Sequence, residues 1–155
     1  MKRLLLLLPL LLTPAAAYAN EIRLSCRGEL DYSAIKGKQG TVEPFTEALR
    51  EGGFTFTSHE IVINKESKVA LITEVDKDKE LHKKVPFFET PTAYLIEIKD
   101  RSDPTLDQIK QHQVDRTDAS YTYIWEVKTS ADGELFWRVP FFGKCTKQKR
   151  VKTLF

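Results

Sequence analysis

The tetrapeptide Val-Pro-Phe-Phe occurs twice, at 85–88 and at 139–142, and this repetition limits the folds open to the chain more than any other feature. Each copy ends a longer run in which matching residues follow one another in the same order. The matches pair Ile63-Asn64-Lys65 with Val114-Asp115-Arg116, Glu74-Val75 with Glu126-Val127, and Glu80-Leu81 with Glu134-Leu135. Ordered matches of this kind indicate a diverged internal duplication, so we expect residues 60–88 and 111–142 to form two related units.

Period-two alternation runs through both units and through the chain that precedes them. Ile22, Leu24 and Cys26 alternate with charged or hydroxyl side chains, and the aromatic residues of 121–127 alternate with Thr122, Ile124 and Glu126. This alternation is typical of half-buried strands, and Asp132-Gly133 predicts a hairpin turn in the second unit. We therefore predict an all-β fold: an antiparallel barrel or sandwich of about eight strands built from two repeated meanders, with one or two short helices.

Three stretches interrupt the strand pattern. Pro44–Glu51 carries apolar residues on one side and is followed by Gly52-Gly53, which predicts a short helix. Asp103-Pro104 either caps one or two helical turns that run to Ile109 or starts a long connection. At Ser58-His59 the alternation changes phase, and this change suggests a bulge in the strand.

The proline of each repeat carries information about sheet position. Pro86 and Pro140 have no N–H to donate to a ladder, so we expect both at strand edges or at bulges. Because the two prolines occupy the same place in the repeat, each meander should end on a kinked or edge strand.

Alternation assigns the two phenylalanines of each repeat to opposite faces. The residues expected on the inner face are Val85, Phe87, Val139 and Phe141. Phe88 and Phe142 should then form an exposed apolar patch, with Arg138 and Lys144 beside Phe142, and such a patch marks an interaction site. A bulge at each proline, or the helix at 44–51 lying over the patch, would remove it.

The first 19 residues have the three parts of a secretory leader. Lys2 and Arg3 precede a leucine-rich run that is too short to span a bilayer, and Ala17-Tyr18-Ala19 ends it with small residues. We expect cleavage after Ala19, which leaves 20–155 as a single β domain in the periplasm or outside the cell, with no transmembrane segment. Of the 24 Lys and Arg residues, two lie in the leader, so the bases of the mature chain equal its 22 Asp and Glu residues.

The chain contains two cysteines, Cys26 and Cys145, which lie in its first and last predicted strands. Both are in phase with the apolar face of their strand. An even number of cysteines in an exported protein predicts a disulfide. We therefore expect a Cys26–Cys145 bond that brings the two ends of the chain together.

Catalytic and metal motifs receive little support from the residue pattern. His59, His82 and His112 have no metal-ligand spacing, and we expect them at the surface without a role. Asp76-x-Asp78-x-Glu80 lacks the glycine and the distal glutamate of a calcium loop, so a solvated hairpin tip is favoured. We predict no metal site and no cofactor.

The carboxyl-terminal end is rich in cations. After Glu134 there is no acidic residue, while six cations follow: Arg138, Lys144, Lys147, Lys149, Arg150 and Lys152. These cations can bind an anionic surface, or they can protect a solvated strand edge from aggregation, and the second interpretation is favoured. Nucleic acid is not expected as a partner, because the mature chain has no net charge.

The residues Gly143-Lys144-Cys145, followed by a basic run and terminal Phe155, resemble the ending of small exported β proteins of Gram-negative bacteria. Those proteins also have a cysteine near the mature amino terminus and an Asp-Arg-Thr element, here at 115–117. The resemblance implies export and a β fold. Ala119-Ser120-Tyr121, followed by Phe136-Trp137, is more distantly similar to the Ser-Gly-x-x-Tyr motif of periplasmic lysozyme inhibitors, but lacks its glycine.

Two classes of function follow from these patterns. The favoured one is a non-catalytic binding or interaction module of the periplasm or envelope, whose partner is an envelope component, an apolar ligand or a protein. The predicted binding residues are Phe88, Phe142, Arg138, Lys144, Lys147, Lys149 and Arg150. The alternative is a periplasmic enzyme inhibitor, or an enzyme whose site is assembled from residues that are distant in sequence.

Overall fold

The structure, a computed structural model, describes residues 21–76 and 79–149. The predicted leader at 1–19 and Arg150 of the predicted binding residues lie outside the described residues. No helix in the described part of the chain is long and apolar enough to cross a membrane.

The described residues form nine antiparallel strands and one α-helix. The strands are β1 (Glu21–Leu30), β2 (Lys36–Gly37), β3 (Phe56–Asn64), β4 (Val69–Asp76), β5 (Lys79–Glu89), β6 (Ala93–Asp100), β7 (Leu106–Asp115), β8 (Ser120–Thr129) and β9 (Leu135–Lys147). Helix α1 (Val42–Glu51) and a 3-10 turn at Tyr32–Ala34 lie between β1 and β3. Strands β1 and β3 to β9 follow one another around a ring that closes where β1 pairs with β9, and β2 adds to β9. The predicted all-β fold is confirmed, and it is a barrel rather than a sandwich.

Alternation along each strand sends apolar side chains to the inside of the barrel. One half of the interior is filled by aliphatic residues and one aromatic ring: Leu24, Ile61, Ile63, Ala70, Ile72, Phe87 and Val114 are all buried. Helix α1 lies at the other end, where Leu49 is buried and the ring of Phe45 stacks on Trp137 with 4.2 Å between centroids. Burial of these side chains is the main favourable contribution to folding.

Cys26 and Cys145 form the predicted disulfide. They are register partners in the β1–β9 ladder, which is the ladder that closes the ring, and their Cα atoms are 3.9 Å apart. Gly28 pairs with Gly143 two residues away, and a Cβ atom added at Gly143 would overlap the carbonyl oxygen of Arg27. The close approach of the first and last strands therefore requires glycine at this point.

Both repeat prolines lie where a ladder ends on one side of their strand. Pro86 pairs with Val69 of β4, while the ladder from β5 to β6 starts only at Phe87. Pro140 pairs with Ile124 of β8, while the ladder to β1 starts only at Phe141. The missing N–H of each proline therefore costs no ladder hydrogen bond on the side where its strand is unpaired.

The β5–β6 junction is short. It consists of three residue pairs, Phe87 with Ile96, Phe88 with Leu95 and Glu89 with Tyr94. From Pro86 back to Lys79, strand β5 pairs with β4 alone. An ion pair between Lys83 and Asp100, at 3.8 Å, joins the two strands beyond the ladder.

The two repeat segments each fold as three consecutive strands, β3 to β5 and β7 to β9. Their aligned glutamates differ in direction, because Glu74 is directed into the barrel beside Lys110 while Glu126 contacts Arg138 on the outside. The internal duplication stays a prediction.

One local expectation is wrong, and the structure excludes one of two alternatives left open at another place. Strand β3 pairs with β1 without a break from Phe56 to Asn64, so there is no bulge at Ser58-His59. His59 simply occupies an inward position. The stretch after Asp103 is not helical, because the Asp103 carboxylate accepts a hydrogen bond from the Thr105 backbone at 2.7 Å and β7 starts at Leu106.

Candidate functional site

A cluster of polar side chains occupies the inside of the barrel, contrary to the expectation that the histidines lie at the surface. Alternation directs His59 from β3, Glu74 from β4, Lys110 and His112 from β7, and Tyr121 from β8 toward one another. His59 is 4% exposed, and His112 and Tyr121 are each 1% exposed. We call these five residues the interior cluster. The third histidine, His82, is exposed as expected.

Tyr121 joins the two histidines. Its hydroxyl oxygen is 2.8 Å from Nδ1 of His112 and 2.9 Å from Nδ1 of His59. Glu74 also links two members of the cluster through its two carboxylate oxygens. Lys110 Nζ donates a hydrogen bond to Oε2 of Glu74 at 2.6 Å. Its second oxygen, Oε1, is 4.0 Å from Nε2 of His59. The interior cluster is therefore one connected group drawn from four strands.

The single hydroxyl hydrogen of Tyr121 restricts the tautomers of both histidines. It can be donated to only one Nδ1 atom, so the other Nδ1 must carry a proton and donate to the tyrosine oxygen. A neutral imidazole with its proton on Nδ1 has an unprotonated Nε2 atom with a free lone pair. At least one of the two histidines must therefore hold such an Nε2 atom inside the barrel.

Two atoms of the interior cluster have no hydrogen-bond partner among the described residues. They are Nε2 of His112 and Oε1 of Glu74, and both are buried. Buried polar atoms are nearly always paired in folded proteins, and each exception calls for an explanation.

Burial sets the protonation of the cluster. It lowers the pKa of His59 to about 4, which the nearby Glu74 carboxylate only partly opposes. Burial also lowers the pKa of His112 well below its ordinary value, and the charges of His59 and Lys110 act in the same direction. Burial raises the pKa of Tyr121 above its ordinary value. At neutral pH both imidazoles and the phenol are therefore uncharged, beside the ion pair of Lys110 and Glu74.

We expect acid to destabilise the protein between pH 6.5 and about 4 through the buried histidines. The pKa of His59 is about 4 in the folded state against 6.5 ordinarily, so the unfolded chain takes up its proton first as the pH falls. The stabilisation is fully present above pH 6.5 and is lost as the pH falls toward 4, by roughly 3 kcal/mol for this one group. Urea unfolding at a series of pH values measures the slope.

The control for this slope is the exposed histidine. His59→Gln should reduce the pH dependence of the free energy of unfolding, because glutamine does not titrate; His82→Gln removes a histidine that is not buried in the barrel. Equal slopes in the parent and in His59→Gln would contradict the assignment.

The outside of the barrel carries the aromatic residues predicted for binding. Phe88 is 68% exposed and Phe142 is 48% exposed, whereas Phe87 and Phe141 are buried. The two exposed rings do not form one patch, because β6, β7 and β8 separate their strands. Four strand spacings put them roughly 19 Å apart along the sheet.

Phe88 and Phe142 are instead members of one row of register partners that crosses the sheet. We call it the exterior row, and in order it contains Phe88, Leu95, Gln113, Thr122, Phe142, Glu29 and Phe56. The guanidinium of Arg27 lies 4.2 Å from the centre of the Phe56 ring. Because the sheet closes into a barrel, this row runs around the outside: Phe142 is four of the eight ring strands from Phe88, and Phe56 is two strands beyond Phe142.

A shallow groove of about 320 Å³ lies at the Phe88 end of the exterior row. Its apolar lining comes from Phe88, Leu95 and Ile124, and its polar lining includes Gln113 and Thr122. Beside them, Gln111 donates a hydrogen bond of 3.0 Å to Glu97. The groove therefore offers an aromatic face next to amide, hydroxyl and carboxylate groups.

The predicted cations are spread along β9 rather than gathered together. Arg138 is 3.5 Å from Glu126. Lys144 lies beside Phe142 in sequence and is the register partner of Arg27. Lys147 and Lys149 are exposed near the end of the described chain, so roughly 30 Å of strand separates Lys147 from Arg138. Of the predicted cations, Lys144 adjoins the exterior row most closely in register.

Comparison with protein-family models, with curated proteins and with solved structures finds no match for this chain.

Proposed function

We propose that the protein is an exported, non-catalytic binding module of the periplasm or envelope, similar in kind to the small β proteins of Gram-negative bacteria that its ends resemble. A disulfide between Cys26 and Cys145 supports this proposal, because disulfides persist in oxidising compartments outside the cytoplasm. The leader pattern at 1–19 supports it from the sequence.

The observation that carries the binding function is the exterior row. Apolar side chains that are grouped at the surface mark interaction sites, whereas single exposed ones are common. At the Phe88 end of the row, Phe88 is grouped with Leu95 and Ile124 in the groove. Phe88, Phe142 and Phe56 are each about half exposed or more. None of them is needed to fill the barrel, whose interior is packed by other residues.

The chemistry of the row favours an acidic saccharide as the ligand. At one end, the Phe88 ring offers a flat apolar face, and Gln113 and Thr122 offer donors and acceptors suited to sugar hydroxyls. At the other end, Arg27 and Lys144 adjoin Phe142. Among the described residues, neither of these cations is in an ion pair. They are available to an anionic group of the ligand.

A uronic-acid oligosaccharide of defined length, titrated by calorimetry, tests the proposal. We expect Phe88→Ser and Phe142→Ser each to weaken binding by tenfold or more while leaving the free energy of unfolding within about 0.5 kcal/mol of the parent. Lys144→Gln should weaken binding of the acidic oligosaccharide, and added salt should do the same.

Two controls separate this ligand class from non-specific adhesion. The same oligosaccharide with its carboxylates reduced to alcohols should bind more weakly to the parent and should be indifferent to Lys144→Gln. Leu71→Ser removes an exposed apolar side chain of β4 outside the exterior row and should bind like the parent. Loss of binding in Leu71→Ser, or parent-like binding in Phe88→Ser and Phe142→Ser, would contradict the site.

A further inference from the structure

The interior cluster has the composition and the unpaired atoms of a metal site. We propose that His59, His112 and Glu74 bind one divalent transition-metal ion of the zinc class inside the barrel. This inference does not rest on the saccharide proposal, because its ligand atoms belong to side chains that face the barrel interior, although His112 also borders the exterior groove.

The three residues offer converging ligand atoms. One ligand atom from each of His59, Glu74 and His112 lies within 4.8 Å of the other two. The hydrogen bonds leave Nε2 of each imidazole directed away from Tyr121 and leave Oε1 of Glu74 without a partner among the described residues. The side chains come from β3, β4 and β7, so the barrel fold itself brings them together.

Tyr121 and Lys110 supply the outer contacts that metal ligands usually have. Histidine ligands of metals almost always donate their second ring N–H to an oxygen atom. The Tyr121 oxygen is within hydrogen-bond distance of Nδ1 of both histidines and can accept from both. Lys110 holds Oε2 of Glu74 at 2.6 Å, which leaves Oε1 for the ion.

The donor set selects the kind of metal. Two imidazole nitrogens and one carboxylate oxygen suit zinc and its neighbours in the first transition row, whereas calcium and magnesium prefer oxygen ligands throughout. Bonds of about 2.0–2.1 Å require ligand atoms roughly 3.3 Å apart in a tetrahedral site. The 4.0 Å between His59 Nε2 and Glu74 Oε1 must therefore shorten by about 0.7 Å, and a pair at the 4.8 Å limit of the three ligand atoms by about 1.5 Å, through rotation of the side chains.

A metal ion also accounts for the unpaired atoms. His112 is 1% exposed and its Nε2 atom has no hydrogen-bond partner in the described part of the chain. Glu74 Oε1 is in the same situation. A cation bound between them satisfies both atoms, and its charge is balanced in part by the carboxylate.

The test uses the disulfide-bonded protein after treatment with a chelator, in a His82→Ala background that removes the exposed histidine. Titration with Zn²⁺ by calorimetry should give one ion per chain. Titration with Co²⁺ should give the intense visible absorption of a four- or five-coordinate ion. His59→Gln and His112→Gln, which keep a polar side chain at each position, should each weaken Zn²⁺ binding at least 100-fold. Tyr121→Phe should weaken it by 10- to 100-fold, as loss of an outer contact does.

Several results would overturn the proposal. One is the absence of stoichiometric Zn²⁺ binding by the parent; another is parent-like affinity in folded His59→Gln and His112→Gln. Where a variant does not fold, the Co²⁺ spectrum of the parent decides. A weak six-coordinate spectrum, or ring ¹⁵N signals of His59 and His112 that do not shift on adding Zn²⁺, would exclude the interior cluster as the site.

Discussion

Phe141→Ala should lower the free energy of unfolding by about 3–5 kcal/mol, whereas Phe142→Ala should change it by less than about 0.5 kcal/mol. The two residues are neighbours in the chain with the same side chain, so intrinsic strand propensity cancels in the comparison. Phe141 is 5% exposed and packs against Tyr123 with ring centroids 5.4 Å apart. Phe142 is 48% exposed, and its truncation leaves no cavity. Urea unfolding monitored by tryptophan fluorescence measures both values.

The first repeat supplies an independent replicate of this comparison. Phe87 is 4% exposed and Phe88 is 68% exposed, so Phe87→Ala and Phe88→Ala should reproduce the same contrast. Four variants that all unfold at similar urea concentrations would show that the exposed rings are structural, and the exterior row would then lose its role as a binding surface.

Loss of the Cys26–Cys145 disulfide should cost roughly 2–5 kcal/mol of stability. The bond links residues 119 apart in sequence, so it removes a large part of the conformational freedom of the unfolded chain. The double variant Cys26→Ser, Cys145→Ser should unfold at a lower urea concentration than the oxidised parent, under conditions in which both unfold reversibly.

Two measurements check that the bond itself is responsible. A reductant should lower the unfolding midpoint of the parent and leave that of the double variant unchanged. Alkylation of the unreduced protein, followed by intact-mass analysis, should label no thiol. Two labelled cysteines in the untreated protein, or equal midpoints for parent and double variant, would contradict the expected stabilisation.

The face of the sheet on which each side chain lies could be predicted from the sequence, because alternation along a strand is a local pattern. The faces of Phe87 and Phe88, the inward position of Cys26 and the helix that begins near Pro44 all follow from residues within a few positions of one another. Closure of the barrel is a long-range pairing of β1 with β9. Only the two cysteines, in phase on the first and last strands, indicated it.

The sequence does not reveal the interior cluster, because a polar residue at an inward position looks like a break in the alternation of apolar and polar residues. His59 is in phase with Ile61 and Ile63, and His112 is in phase with Val114, so both histidines read as inward if alternation is carried through. The break in alternation at Ser58-His59 predicts a bulge instead, and the absence of a metal-ligand spacing predicts histidines without a role at the surface. The meeting of His59, Glu74 and His112 depends on barrel closure, and no spacing within the chain expresses it.

Only part of the exterior row could be predicted from the sequence, because the rest depends on long-range strand pairing. The repeat indicated that Phe88 and Phe142 are both outside, but their separation depends on strand order. Three strands lie between them, and the row also takes in Phe56, which belongs to neither repeat copy of the tetrapeptide.

The covalent junction and the shortest ladder of the ring lie on opposite sides of the barrel. The disulfide joins β1 to β9, and the three-pair β5–β6 ladder lies opposite it, with four of the eight ring strands in each half. His59 and Glu74 belong to one half, and Lys110, His112 and Tyr121 belong to the other. The Lys110–Glu74 ion pair and the Tyr121–His59 hydrogen bond therefore cross between the halves. The interior cluster thus links the two halves through side chains in a barrel whose β5–β6 ladder supplies only three residue pairs.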